Sequence, residues 1–238
     1  MNKLFSVIIA LLLLVRIASA QSARENYNYM DFNQKPYYFG ITLAYNQSDF
    51  LVKRSSNFIL NDTFRMVQSR NGPGFNLGVV SNLKIGEYFD VRFLPTLSFA
   101  ERNLYYRKVR DKDDRPLNRE TFSSVLVEMP FQLRYKSAPY HDKRLFMVAG
   151  VKYAYDVATN ARTVQSKRGE IIRVSPTDFA FEIGAGIQIY FPFFIFSPEI
   201  KFSRGLTNQL IYNAALPKST VLDQVISQGL TLSFHFEG

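Results

Sequence analysis

Side chains able to do acid–base or nucleophilic work are few. The chain has two histidines, His141 and His235, and no cysteine. The absence of Cys excludes thiolate chemistry, disulfides and acylation at a lipoprotein cysteine. Hydrolysis of a surface lipid would need a Ser, a His and a carboxylate converging at the rim that faces the lipid. The alternation pattern places His141 in a short turn and His235 at the end of the last strand, away from that rim. No metal-ligand spacing and no phosphate-binding Gly loop is present. Gly184 and Gly186 read as small inward-facing residues. The expectation is a non-enzymatic protein without cofactor or metal.

The charged residues inside the apolar runs carry more information. Arg92, Glu128, Arg134, Lys152, Glu182, Glu199 and Lys201 all occupy alternate positions between large apolar residues. Both signs are represented. Unpaired charge in such a place is costly, so the set reads as a mutually paired polar network plugging a narrow barrel. A selective pore is the other reading of the same residues. A second charged group lies in residues 104–120, LYYRKVRDKDDRPLNRE. Arg107, Lys108, Arg110, Asp113, Asp114, Arg115 and Arg119 make it a candidate contact loop, for a partner or for lipopolysaccharide phosphates, or simply a solvated surface.

These groups are positioned by strands. Residues 179–206, FAFEIGAGIQIYFPFFIFSPEIKFSRGL, alternate with period two. Phe179, Phe181, Ile183, Ala185, Ile187, Ile189 and Phe191 share one parity; Ala180, Glu182, Gly184, Gly186 and Gln188 share the other. Successive side chains of a strand point to opposite faces, and the Phe-Pro-Phe break reads as a turn, so the segment is an antiparallel hairpin. Small and polar residues suit the interior of a narrow closed barrel, which leaves the bulky Phe/Ile face outward, in lipid. A soluble, lipocalin-like barrel with the Phe/Ile face inward is the alternative. Like patterns occur at residues 37–47, 74–84, 89–103, 122–136, 145–156 and 223–236. The sequence therefore predicts an all-β fold: a closed antiparallel up-and-down transmembrane β-barrel of about eight strands. Pro95, Pro130 and Pro198 fall within these runs and mark bulges or strand ends.

Composition agrees. Hydrophobic residues make up 47% of the 238, yet mean hydropathy is only -0.10, as expected where every second residue is apolar. Phe (22) and Tyr (14) dominate the aromatics, with no Trp. The formal charge of +9 is scattered over loops and strand ends, which favours anionic lipid head groups or acidic partners over nucleic acid. Residues 1–20 have a Lys3 n-region, a short apolar core and an Ala18-Ser19-Ala20 cleavage site, the pattern of a secretory signal peptide. Residues 21–36 are polar and read as a loose periplasmic lead-in, followed by the barrel at 37–238. Short connections near Gly86, Pro139 and Pro192 alternate with long ones at 48–73, 104–120, 157–177 and 206–222. Short periplasmic turns and long external loops are the outer-membrane arrangement, with both termini in the periplasm. It also argues against the soluble barrel.

Four segments carry a family likeness: KPYYFGITLAYNQSDF (35–50), FNLGVVSNLKIGEYFDVRFLPTLSFAERNLYY (75–106), VEMPFQLRYKS (127–137) and IGAGIQIYFPFFIFSPEIKFSRGL (183–206). Together they resemble the PorT-type outer-membrane β-barrels of the Bacteroidetes type IX secretion system. That resemblance implies a part in exporting or maturing cargo that carries a sorting domain, with other secretion components as partners. It implies no catalytic residue. A general small barrel with ligand-binding loops, or a narrow porin, is the alternative. Expected partners beyond the secretion proteins are outer-membrane lipid and lipopolysaccharide.

Overall fold

The structure, a computed structural model, describes residues 27–55, 64–108, 118–158, 173–213 and 217–238. The predicted signal peptide, residues 159–172 of the expected loop at 157–177, and Arg110, Asp113, Asp114 and Arg115 lie outside them. A short helix, α1 (Tyr27–Asn33), precedes β1 (Tyr37–Arg54), β2 (Phe64–Ile85), β3 (Phe89–Phe93), β4 (Thr96–Lys108), β5 (Asn118–Lys136) and β6 (Lys143–Asp156). Then follow β7 (Arg173–Val174), β8 (Thr177–Tyr190), β9 (Ile195–Gly205), β10 (Leu210–Ile211), α2 (Pro217–Thr220) and β11 (Leu222–Glu237).

The sheet is a closed ring. Each strand pairs antiparallel with its neighbour, and β11 returns to β1 in register from Gly40↔Glu237 to Arg54↔Leu222. β3 and β4 both lie between β2 and β5, so they are two pieces of one staple of the wall, and the ring has eight strands. Two prolines cause the break. β3 pairs with β5 as far as Phe93↔Phe131 and β4 resumes at Thr96↔Glu128, leaving Leu94-Pro95 opposite Met129-Pro130. Neither proline has an N–H for the ladder. The Leu94 amide still donates to the Pro130 carbonyl at 3.2 Å. Near Pro198 the β8–β9 ladder skips from Gly186↔Glu199 to Ile189↔Phe196.

The faces follow from the alternation. Tyr37, Phe39, Ile41, Leu43 and Tyr45 of β1 point outward and are exposed, while Tyr38, Thr42 and Asn46 point inward and are buried. Apolar side chains form the same outward belt on every strand of the ring. Closure removes the sheet edges, so backbone groups at membrane depth are satisfied within the wall.

At one end the strands outrun the predicted boundaries. β1 continues to Arg54, β2 begins at Phe64, β4 reaches Lys108 and β5 begins at Asn118. Within the expected loops at 48–73 and 104–120, residues 48–54, 64–73, 104–108 and 118–120 are strand; Arg107 and Lys108 end β4, and Arg119 lies in β5 opposite Tyr105. Here the polarity of the two faces inverts. Past Tyr45, Phe75 and Phe99, the outward positions become Gln47, Arg70, Gln68 and Glu101. The inward positions become Phe50, Val67, Leu104, Tyr106 and Val225, which cluster with Val221 and Leu222. Lipid-facing wall has given way to a small water-facing globule with its own apolar core.

At the other end the expected loose lead-in is ordered from residue 27 onward. Tyr29 and Phe32, one turn apart on α1, are buried against Tyr38, Tyr190 and Ile195. The apolar contact explains why an otherwise polar segment folds.

Candidate functional site

The lumen is a charged layer held between these two apolar caps. Its charges come from inward positions of strands whose outward neighbours face lipid. All seven residues expected there are buried or nearly so, and the structure brings them into one chain of alternating sign. Arg134 Nη2 lies 3.4 Å from Glu237 Oε1, and Arg92 Nη2 lies 2.6 Å from the same oxygen. Arg92 Nη1 continues to Glu199 Oε2 at 3.1 Å. Lys201 Nζ sits 3.7 Å from Glu199 Oε1 and 3.3 Å from Glu182 Oε2. Lys152 Nζ then joins Glu182 Oε1 at 3.3 Å to Glu128 Oε1 at 3.0 Å. Gln132 donates to Glu182 at 2.8 Å. The chain crosses the lumen through β3, β5, β6, β8, β9 and β11.

Sequence reasoning missed several members. Glu237 lies one residue beyond the predicted last strand, although it shares inward parity with Ser233 and His235. Asp90 and Lys136, paired at 2.5 Å, also sit at strand ends. Tyr38 donates to Asp90 at 3.3 Å, and its oxygen accepts from Arg134 and Gln188 at 3.5 and 3.4 Å. Arg144 anchors the cap: it donates to the carbonyls of Ser137 (2.6 Å) and Glu87 (3.0 Å) and to the Tyr29 hydroxyl (3.1 Å). Arg144 and Glu237 lie one residue outside the predicted strands, whereas Tyr38, Asp90 and Lys136 lie within them at inward parity and were passed over.

α1 is fastened by the β5–β6 turn. His141 and Asp142 there have φ of 47° and 54°, a left-handed backbone uncommon outside glycine. That geometry aims the Asp142 carboxylate at α1, where it accepts from the Tyr29 amide at 2.9 Å and from Asn28 Nδ2 at 3.2 Å. An amide in the first turn of a helix has no partner within the helix, so the carboxylate satisfies it. The Phe32 carbonyl accepts from Lys84. Burial pushes the Tyr29 phenol above its ordinary pKa, against the pull of Arg144.

Both signs are well represented on the inward face. Among the described residues the inward-facing cations include Arg92, Arg102, Arg134, Lys136, Arg144, Lys152 and Lys201, with Lys84 at the α1 cap; the anions include Asp90, Glu128, Asp156, Asp178, Glu182, Glu199 and Glu237. Cations and anions are thus close to balanced. Above the chain Asn46 donates to Asn76 and Ser98 donates to Asn76 at 2.8 Å, with the charged Arg102, Asp156 and Asp178 around them. A cavity of ≈ 40 Å³ remains there, and another of ≈ 20 Å³ lies beside His235. Each has room for only a few waters.

The histidines are placed as follows. His141 stacks edge-on against Tyr140 at 4.0 Å. His235 is buried, with Nε2 3.6 Å from Glu199 Oε2, and Ser197 faces it across β9–β11. A Ser, a His and a carboxylate thus meet, but in the barrel interior and not at a lipid-facing rim. The Ser197 hydroxyl makes no hydrogen bond among the described residues, and its residue is fully buried. No relay to a nucleophile is formed there.

A closed eight-stranded ring with a lipid-facing belt and a polar interior is the architecture of a membrane barrel. The model of the outer membrane protein beta-barrel domain family matches residues 19–210. The chain belongs to this family. It is an integral outer-membrane β-barrel. No curated protein matches it. Solved structures similar to this barrel include neisserial surface protein A, at 11% identity and TM-score 0.42, covering 85% of this chain and 97% of that one. OprG of Pseudomonas aeruginosa aligns at 11% identity and TM-score 0.44, over 85% and 95% of the two chains. Ail of Yersinia pestis aligns at 16% identity and TM-score 0.38, over 86% and 100%.

Proposed function

We propose that this outer-membrane barrel is a sealed, non-enzymatic scaffold that works by contact, as an accessory to type IX protein secretion. The observation that carries the reading is the lumen. An alternating ion chain spans it and apolar caps close both ends, so neither an ion stream nor an extended polypeptide has a route through. A protein built this way supports export by holding, assembling or gating a separate conduit. The resemblance of residues 35–50, 75–106, 127–137 and 183–206 to PorT-type barrels supplies the secretion context. In this reading the short turns and both termini face the periplasm, and α1 and the strand ends at Arg107, Lys108 and Arg119 are the surfaces that meet other secretion proteins. Basic side chains near the outer rim meet lipopolysaccharide phosphates.

A deletion strain tests it. Sorting-domain cargo should accumulate in the cell envelope while unrelated outer-membrane proteins insert normally. Normal cargo secretion would end the type IX assignment. Purified protein in planar bilayers should show no steady conductance; stable single-channel steps would restore the narrow-porin reading.

One observation favours a second role. The globule made by the extended ends of β1, β2, β4, β5 and β11 carries a polar outer surface beyond the apolar belt. Such a platform suits a barrel that binds an external ligand. Loss of surface binding with intact cargo export would select that role.

A further inference from the structure

Three short turns join strands at the end that bears the termini, and they differ in kind. The β2–β3 turn carries Glu87, and the β5–β6 turn carries His141 and Asp142. The β8–β9 turn is Phe191-Pro192-Phe193-Phe194, with no polar side chain. Phe193 is 91% exposed, the most exposed large apolar residue among those described. The turn is not loose. The Phe191 amide donates to the Phe194 carbonyl at 2.9 Å, and the two rings stack at 5.0 Å with 19° between planes.

The stack continues onto the lipid-facing wall. Phe194 lies 6.2 Å from Phe236, Phe236 lies 5.2 Å from Phe196, and Phe196 is parallel to Phe234 at 6.2 Å and 2°. One aromatic strip therefore runs down β9 and β11 without a polar interruption and ends at the turn.

We infer that the β8–β9 turn is a membrane anchor: Phe193 inserts into the lipid leaflet nearest the termini, and the barrel is held deeper on this side than on the sides of Glu87 and Asp142. Lipid is the occupant because the turn is the continuation of the lipid-facing strip. A folded partner would instead be expected to meet a surface with polar groups around its apolar centre. The anchor fixes how the barrel tilts and which wall it offers to neighbours in the membrane plane. It is independent of the secretion reading.

The chain contains no Trp and no Cys, which gives a clean reporter. A Phe193→Trp variant, checked for barrel formation by its heat-dependent gel shift, is reconstituted into phosphatidylethanolamine/phosphatidylglycerol vesicles. Its emission should be blue-shifted, lose intensity when brominated lipids are included, and resist aqueous iodide. A Glu87→Trp variant should behave oppositely. A nitroxide on Phe193→Cys reads the same depth by relaxation with oxygen and with a water-soluble nickel complex, and serves if the Trp variant does not fold. Red-shifted, iodide-quenched emission at 193 would overturn the inference. So would a residue dry only in native membranes and wet in pure lipid, which would assign the turn to a protein partner.

Discussion

The guanidinium carbon of Arg134 lies 4.2 Å from the centre of the Phe146 ring, so the central cation of the lumen rests on an aromatic face as well as on Glu237. Gly186 makes room for that ring. A Cβ built on Gly186 would lie 2.4 Å from the Phe146 ring edge and 2.4 Å from the Pro198 carbonyl oxygen. Gly186→Val should push Phe146, and with it Arg134, out of place. The expected loss is about 1–3 kcal/mol, the usual cost of overpacking, read as a lower midpoint in urea unfolding of the reconstituted barrel. An unchanged midpoint would mean that Arg134 does not depend on the ring.

Removing Glu237 should be severe. Glu237→Ala leaves Arg134 without its carboxylate and Arg92 with Glu199 alone. Breaking a buried pair costs about 3–5 kcal/mol. The heat-dependent gel shift should move to a lower temperature. The same temperature as the parent would show that water reaches the network.

Shaving the inner cap should not open a pore. Tyr29→Ala with Phe32→Ala removes the buried face of α1 but leaves the ion chain intact. Bilayer conductance should stay at background while protease cuts near residue 30 become faster. Appearance of a channel would place the seal in the cap instead of the chain.

The outer globule should unfold separately from the barrel. Leu104 is fully buried in its core, and Leu104→Ala should cost about 2–5 kcal/mol. The ends of β2, β4 and β5 should then be cut by protease added to the purified barrel in detergent, while the heat-dependent gel shift stays unchanged. Loss of the gel shift would mean that the globule and barrel fold as one unit.

What could be read from the sequence was whatever kept a single meaning along a strand. Phe181, Ile183 and Ala185 against Glu182 and Gly184 gave the faces, because lipid outside and polar groups inside persist across the belt. The same period continues through Leu104, Tyr105 and Tyr106, but there the apolar side turns inward. A rule built on lipid then reads the segment as loop. The register shift between Asn71 and Gly74 hides the extension of β2 further. α1 was illegible for a different reason: Tyr29 and Phe32 in a polar stretch are too little to announce a helix until the barrel mouth supplies Tyr190 and Ile195. Glu237 was lost with the strand end on which it sits, while Asp90 and Lys136 fell inside the predicted strands and parity already marked them as inward.

The position of Glu237 has a consequence for how the molecule is made. It ends β11, the strand that closes the ring on β1, yet it serves cations on β3 and β5, far earlier along the chain. Until β11 closes on β1, Arg134 has no carboxylate and Arg92 has only one. An incomplete sheet entering the bilayer would carry those bare charges with it, at a cost the hydrocarbon does not forgive. Insertion is thereby tied to completion: a sheet that lacks β11 carries into the bilayer an energetic penalty that the closed ring does not.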